Sequence, residues 1–357
     1  MGGIATYWNA LFEHLGAVAP ATRYTVYFND RAAMARAALP EGFRSRRLWP
    51  STRWIEIPVS LPLELYRRPV DLLHAKTLAP AFCPVPFVLT VNDLTWETNP
   101  EVFPPAIRLR LSKLVPRSAH RARLVLAVSE FTKKCLMEFY GLDERKIVVT
   151  YHGISSIYRP VQDPAALERI RVKYKLPERF VLYVGKIQAR KNLPRLLAAF
   201  SSLVRQGSLP HHLVLVGKRT WTSEETFASI DSLGLTSRVH VTGEVPLDEL
   251  ALLYAAAEVF VFPSLTEGFG LPPLEAMACG TPVISSNATS LPEVVGDAGV
   301  LIDPYDVDAL ARAILDVTSS ERLRRELSEK GIARAATFSN RRMAELTHDA
   351  YEAAISR

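Results

Sequence analysis

Short β-rich runs alternate along this chain with longer helical stretches, and the alternation occurs twice. In the first half "RYTVYFN", "RSRRLW", "DLLHA", "FVLTVND", "RLVLAVS" and "IVVTYHG" read as strands. Helical patterns such as "AIRLRLSKLVPRSAHRA" and "EFTKKCLMEFYG" lie among them. After about residue 160 the pattern restarts with "FVLYVGK", "HLVLVGK", "RVHVTG", "VFVFPS", "TPVISS" and "GVLIDP". These runs are almost continuously apolar, as strands covered on both faces must be. "NLPRLLAAFSSLVRQG" and "PLDELALLYAAAE" carry helical periodicity between them, and from about residue 306 the chain reads as helix to its end. Two such series predict an α/β protein with two doubly wound parallel sheets. Gly and Pro break the periodicity in "YHGISSIYRPVQDP", residues 151–164, which marks the junction.

Composition narrows the class. Hydrophobic residues at 48% and charged ones at 22% are those of a folded globular chain, and no apolar run approaches the roughly 20 residues that span a bilayer. No signal peptide is visible, and Cys83, Cys135 and Cys279 lack metal or redox spacing, which suits a reducing cytoplasm. The net charge of +6 suits an anionic ligand or surface. It is uneven: Arg108, Arg110, Lys113, Arg117, Arg121 and Arg123 fall in a stretch without acids, and "RSRRLWPSTRW" at 44–54 is basic and aromatic. Such runs are commonly solvated helix faces. The sharper reading is contact with anionic lipid headgroups, with Trp49 and Trp54 at the interface.

The loops after the second series of strands carry the chemistry. In "FPSLTEGFGLPPLEAMACGTPVIS", residues 262–285, a strand runs into a glycine-rich loop and then a helix opening near Leu271–Pro273. Gly268 and Gly270 admit a ligand close to the backbone, and a helix N-terminus attracts an anion. Glu267 and Glu275, eight residues apart, would repel phosphate. They suit hydroxyls on either side of it, as in a sugar and a ribose flanking a pyrophosphate. Taken alone, Glu267 is also readable as a helix-start cap and Glu275 as an ordinary helix residue. In "FVLYVGKIQARKNL" Lys186, Arg190 and Lys191 crowd a helix N-terminus, an arrangement that opposes the helix dipole unless an anion is present. Arg190 or Lys191 would neutralise a diphosphate leaving group and make a metal dispensable. In "NATSLPEVVGDAG" Ser290 and the N–H groups after it, from Leu291 on, offer a phosphate site or a plain capping box with Glu293.

With these motifs in place, the chain resembles the family 4 glycosyltransferases, over its whole length and most strongly from about 180 to 305. Glu267 and Glu275 resemble the family's E-x7-E pair, "ARKNL" its basic phosphate loop and "SLPEVVGDAG" its other donor loop. The resemblance implies the GT-B fold: two Rossmann-like domains facing a cleft, with the last helix crossing back to the first domain. The expected divisions are an acceptor domain at 1–155, a donor domain at 156–338 and the returning helix at 339–357. It also implies transfer of a hexose from a nucleotide-sugar, with retention, to a glycan or lipid-linked acceptor, without metal or other cofactor and without a nucleic-acid partner. The donor loops look closest to GDP-mannose-dependent mannosyltransferases of polysaccharide or lipopolysaccharide assembly. UDP-sugar-dependent transfer, or a donor-binding homologue without activity, are the alternatives. A lipid-linked acceptor would favour peripheral attachment to the inner face of the membrane.

Carried over by position, Glu267 contacts the donor sugar near its reacting carbon, Glu275 holds the ribose, and Arg190 and Lys191 stabilise the leaving diphosphate. Lys186, Gly217, Gly268, Phe269, Gly270, Leu271, Ser290 and Leu291 complete the donor site, with Val245 near the base. Gly2 and Gly3, with Asn92 and Asp93, lie on the acceptor side. Asn92-Asp93 stands where many members carry His-Asp, and Asn340 stands where they carry an aromatic. A Gly-Gly turn normally follows the first strand of the fold, and here only Met1 precedes Gly2. An upstream strand of this protein, or one from elsewhere, is therefore expected between the neighbouring strands. A dehydrogenase fingerprint, G-x-G-x-x-G with a later acid, is missing, and "GKR" at 217–219 does not make a P-loop.

Overall fold

A computed structural model describes residues 3–37, 39–52, 54–220 and 223–356. The chain forms two compact units, one of residues 1–153 with 339–357, the other of residues 154–338.

The first unit contains α1 (Gly3–Val18), β1 (Tyr24–Phe28), α2 (Arg31–Arg36), β2 (Phe43–Arg47), α3 (Leu61–Arg67) and β3 (Leu73–Lys76). It continues with β4 (Phe87–Val91), α4 (Thr95–Thr98), α5 (Pro105–Arg121), β5 (Leu124–Ala127), α6 (Glu130–Tyr140) and β6 (Ile147–Val149). Local chemistry sets the helix ends. The Ser129 hydroxyl accepts the Thr132 N–H at 3.0 Å to open α6, and Gly141 closes it at a φ of 61° that a side chain would resist. Among the described residues the sheet is in two pieces, β1-β2 and β3-β4-β5-β6, each parallel.

The second unit contains α7 (Pro164–Tyr174), β7 (Phe180–Val184), α8 (Leu193–Arg205), β8 (His212–Val216), α9 (Glu224–Ser232), β9 (Val239–Gly243) and α10 (Leu247–Ala256). After these come β10 (Val259–Phe262), α11 (Leu271–Ala278), β11 (Val283–Ser286), α12 (Leu291–Val295), β12 (Val300–Ile302), α13 (Val307–Ser319) and α14 (Glu321–Ala335). Its single parallel sheet runs β12-β11-β10-β7-β8-β9. Every residue of β7 and β10 is buried, which is why those strands read as unbroken apolar runs. Truncating a side chain there, such as Phe260→Ala, would cost about 3–5 kcal/mol. The amphipathic α8 turns Leu196, Leu197, Phe200 and Leu203 inward at helical spacing.

The last helix, α15 (Asn340–Ile355), belongs to the first unit. Its Met343 and Ala344 pack with Tyr7, Leu11 and Leu15 of α1, while Ala350 and Ala354 lie on Val88, Leu124 and Leu126 of β4 and β5. The Tyr351 hydroxyl meets His74 Nδ1 at 2.6 Å, tying α15 to β3. Asn340 stands in the helix's first turn with its backbone against Gly153, where any Cβ would fall 2.0 Å from the Asn340 nitrogen. Only glycine fits there.

Candidate functional site

Strand order places the site in the second unit. From β7 the sheet grows one way through β8 and β9 and the other way through β10, β11 and β12. The loops after β7 and β10 therefore leave the sheet at its topological switch point, where neighbouring connections part and open a crevice beyond the strand ends. The loop after β7 carries Arg190 and Lys191 in a short 3₁₀ turn, Ala189–Lys191. The loop after β10 carries Glu267.

These three side chains meet. Lys191 Nζ donates to Glu267 Oε1, Arg190 lies 3.1 Å from the same oxygen, and the Ser264 hydroxyl donates to it at 2.6 Å. The Glu267 side chain is only 11% exposed and that of Lys191 only 7%, so water screens the pair little. Burial by itself would raise the Glu267 pKa. Lys191 and Arg190, with the hydrogen bonds from Lys191 and Ser264, outweigh it and hold the group at about 2. Glu267 thus supplies the anion that the two cations at the start of α8 require. It is not a helix cap, since α11 opens on Gly270. Lys186 does not join the cluster; it is exposed, and its carbonyl accepts from Tyr183 at 3.3 Å.

The backbone of the Glu267 loop is braced from the loop after β11. The Glu267 N–H donates to Thr289 Oγ1 at 3.0 Å, and Ser290 Oγ donates to the Glu267 and Phe269 carbonyls at 3.0 and 2.8 Å. The Ser290 hydroxyl, expected to meet phosphate or to cap α12, makes no cap hydrogen bond to that helix and donates to these two carbonyls instead. The Leu291 N–H is occupied by the Ala288 carbonyl at 3.2 Å, and the Leu291 side chain is buried. Thr289 holds a φ of 56°, a left-handed conformation costly for a β-branched residue, so the hydrogen bond fixes a strained position.

Two glycines have packing reasons as well. Gly270, at φ 118°, would bring a Cβ within 2.7 Å of Leu291, and Gly217, at φ 143°, within 2.0 Å of the Gly185 carbonyl oxygen. Gly217 therefore lets β7 and β8 close on each other at their C-terminal ends. Gly268 and Leu271 are partly exposed in the loop and at the start of α11. The Phe269 ring is buried edge-to-face on Phe338 at 5.7 Å. Val245 is partly exposed in the turn from β9 to α10.

Glu275 sits one helical turn into α11 and is 9% exposed. The Tyr254 hydroxyl donates to its Oε2 at 2.9 Å, and Tyr158 also hydrogen-bonds the carboxyl. Burial raises its pKa to about 7, against the opposing pull of the two tyrosine hydroxyls.

Asn92 and Asp93 follow β4 in the first unit. Asp93 Oδ1 accepts the Thr95 N–H at 3.0 Å, which fixes the turn into α4, and Asn92 Oδ1 is buried without a hydrogen-bond partner. Gly3 begins α1, and Gly2 lies outside the described residues.

Sequence reasoning did not single out Ser264, Thr289, Asn192, Tyr254 or Tyr158. Asn192 takes φ 61° and donates its amide to the Pro263 and Pro304 carbonyls at 3.0 and 2.7 Å, joining the β7, β10 and β12 loops. Asn tolerates that conformation better than most residues, and its place after Arg190-Lys191 was the available signal.

Comparison with known proteins agrees with this geometry. The profile described as "Glycosyltransferase Family 4" matches residues 1–156, and that described as "Glycosyl transferases group 1" matches residues 167–334. The O-antigen chain mannosyltransferase B of Escherichia coli is 37% identical over 266 residues, 74% of this chain and 70% of that protein. The serotype-specific mannosyltransferase WbdA of Escherichia coli is 33% identical over 222 residues, 61% of this chain but 27% of that protein. In fold, the sucrose-phosphate synthase from Thermosynechococcus elongatus superimposes with a TM-score of 0.79 over 98% of this chain and 93% of its own, at 24% identity. Two parallel doubly wound units, the paired glutamates of the second and the relatedness over most of the chain lead to one conclusion: this is a glycosyltransferase of family 4, with the GT-B fold.

Proposed function

We propose that the chain transfers mannose from GDP-mannose to a glycan acceptor of the O-antigen kind, with retention and without a metal ion. The observation that carries the reading is the Glu267 carboxylate held by Arg190 and Lys191 at the switch point of the second sheet. The sugar is supported by the names of the related mannosyltransferases.

In this reading the donor's diphosphate competes with Glu267 for the two cations. As Arg190 and Lys191 turn to the phosphates, Glu267 is released to accept hydrogen bonds from the sugar hydroxyls. The bond from the anomeric carbon to the phosphate oxygen breaks as the acceptor oxygen bonds the same face. The acceptor's proton passes to the departing phosphate oxygen, so charge and atoms balance without a separate base. The two cations, once beside the leaving group, supply the electrostatic stabilisation a metal would otherwise give. Incubation with GDP-mannose, UDP-glucose and UDP-N-acetylglucosamine, with and without EDTA, tests this by nucleotide release and product mass. Release from UDP-sugars alone, or loss of turnover in EDTA, would overturn the donor or the metal-free reading respectively.

A membrane-facing role for the first unit belongs to the same proposal. Trp49, Trp54 and Tyr66 are 77%, 70% and 80% exposed, and the Arg110 guanidinium lies 5.2 Å from the centre of the Trp54 ring. Helix α5 exposes Ile107 and Leu109 beside Arg108, Arg110 and Lys113. Aromatic and basic groups mixed in this way suit an anionic headgroup layer at the inner face of the cytoplasmic membrane. Among the described residues no helix is long and apolar enough to cross a membrane. Sedimentation with phosphatidylglycerol vesicles should carry the protein down, and sedimentation with phosphatidylcholine vesicles should not.

A further inference from the structure

Tyr254 is a fully buried tyrosine that the reaction scheme above does not use. Its ring packs edge-to-face on Phe260 at 5.4 Å and on Tyr158 at 6.0 Å. Its backbone carbonyl accepts from Thr281 Oγ1 at 2.7 Å. A ring enclosed in this way has one place to put its hydroxyl, and that place is Glu275 Oε2 at 2.9 Å. Tyr158 gives the same carboxyl a second hydroxyl. A carboxylate has about four lone-pair directions, so two tyrosines leave about two for a ligand. A vicinal diol needs two.

We propose that Tyr254 is a positioning residue for donor binding, its hydroxyl orienting the Glu275 carboxylate toward the two ribose hydroxyls of the nucleotide, with Tyr158 in support. This rests on the donor-site reading above. The titratable groups facing Glu275 are Tyr254 from α10, Tyr158 from the segment before α7, and Cys279 on its own helix. Among the described residues, β10, β11, α12 and α14 pack on α11 without bringing a charge that moves Glu275. Its ionisation is therefore governed by burial and by the tyrosine hydroxyls, and removing one hydroxyl shifts it further upward.

Calorimetric titration of the full chain with GDP, UDP and their 2′-deoxy forms between pH 6 and 9 tests the assignment. Wild type should bind the ribonucleotide about tenfold more tightly than its deoxy form at pH 8, and that preference should fade as pH drops below about 7. Tyr254→Phe should lower ribonucleotide affinity about tenfold, leave deoxy affinity nearly unchanged and move the pH midpoint upward. In a Glu275→Gln background, Tyr254→Phe should change the preference no further. Tyr158→Phe, which removes the other hydroxyl, should act in the same direction and serves if Tyr254→Phe does not fold. Equal weakening of both nucleotide forms, or a wild-type preference and midpoint in the variant, would overturn the positioning role and leave the donor site standing. Wild type that binds neither nucleotide would overturn both.

Discussion

Glu267 and Glu275 lie eight residues apart on one loop and helix, yet the fold treats their carboxyl groups in opposite ways. Glu267 meets two cations and a serine hydroxyl, and its pKa falls to about 2. Glu275 meets two neutral hydroxyls in a buried setting, and its pKa rises to about 7. Burial opposes ionisation at both, so the difference lies in what the protein places beside each one. One group is permanently charged and electrostatically braced; the other is poised to gain or lose a proton near neutrality. Two carboxyls of one sequence motif thereby acquire opposite electrostatic settings.

The largest break in this contrast should come at Glu267. Glu267→Gln removes the counter-charge of Lys191 and should cost about 3–5 kcal/mol of stability, read by denaturant unfolding of the purified protein. Sugar transfer should fall by about 10²–10³, read as kcat, while nucleoside diphosphate binding is kept or strengthened because both cations are freed. Unchanged transfer would remove Glu267 from the reaction.

The next effect concerns pH. Glu275 has a folded pKa above its ordinary value, so its contribution to stability is fully present below about pH 4.5 and is lost as pH rises through about 7. The shift corresponds to about 3 kcal/mol across that window. Glu267 runs the other way, stabilising above about pH 4.5 and losing its contribution as pH falls toward about 2. Between pH 5 and 8 Glu275 contributes a falling slope, opposed below about pH 6.5 by His74, His152 and His211, which burial holds at about 3, 4 and 4 and which stabilise the fold where imidazole is neutral. Glu275→Gln should change stability little at pH 5 and gain melting temperature relative to wild type as pH rises from 5 through about 7. A difference between variant and wild type that stays constant from pH 5 to 8 would contradict the neutral setting of Glu275.

The smallest effect should come from the brace. Thr289→Val deletes the acceptor for the Glu267 N–H and should cost about 1 kcal/mol, with a few-fold loss of kcat and an unchanged ribonucleotide preference. A change in that preference would mean that the two glutamates are coupled rather than separate.

Each of the twelve runs read as strand carries one, from Tyr24–Phe28 to Val300–Ile302, and β5, β7 and β10 were the most legible because buried parallel strands are apolar throughout. The short helices α2, α3 and α9 were not legible, since six to nine residues give little periodicity. Arg190, Lys191 and Glu267 were legible as charged groups in glycine-bearing loops after apolar strands. Their mutual pairing was not: the cations seemed to need a ligand's anion, and the chain provides its own 76 residues away. Ser290 was legible as a hydroxyl before a helix, and either local role would have held it at the helix start. Its partners, the carbonyls of Glu267 and Phe269, are 23 and 21 residues distant.

By itself the sequence determined the order of strands and helices, the loops that carry charge, and the presence of two carboxylates beside an expected diphosphate site. Those properties follow from side-chain type and spacing, which act over a few residues. Tertiary structure decided which loops meet at the switch point between β7 and β10, and which neighbours each carboxyl acquires. Burial and long-range partners set a pKa, and neither is a property of a residue until the sheet has brought Lys191 to Glu267 and Tyr254 to Glu275.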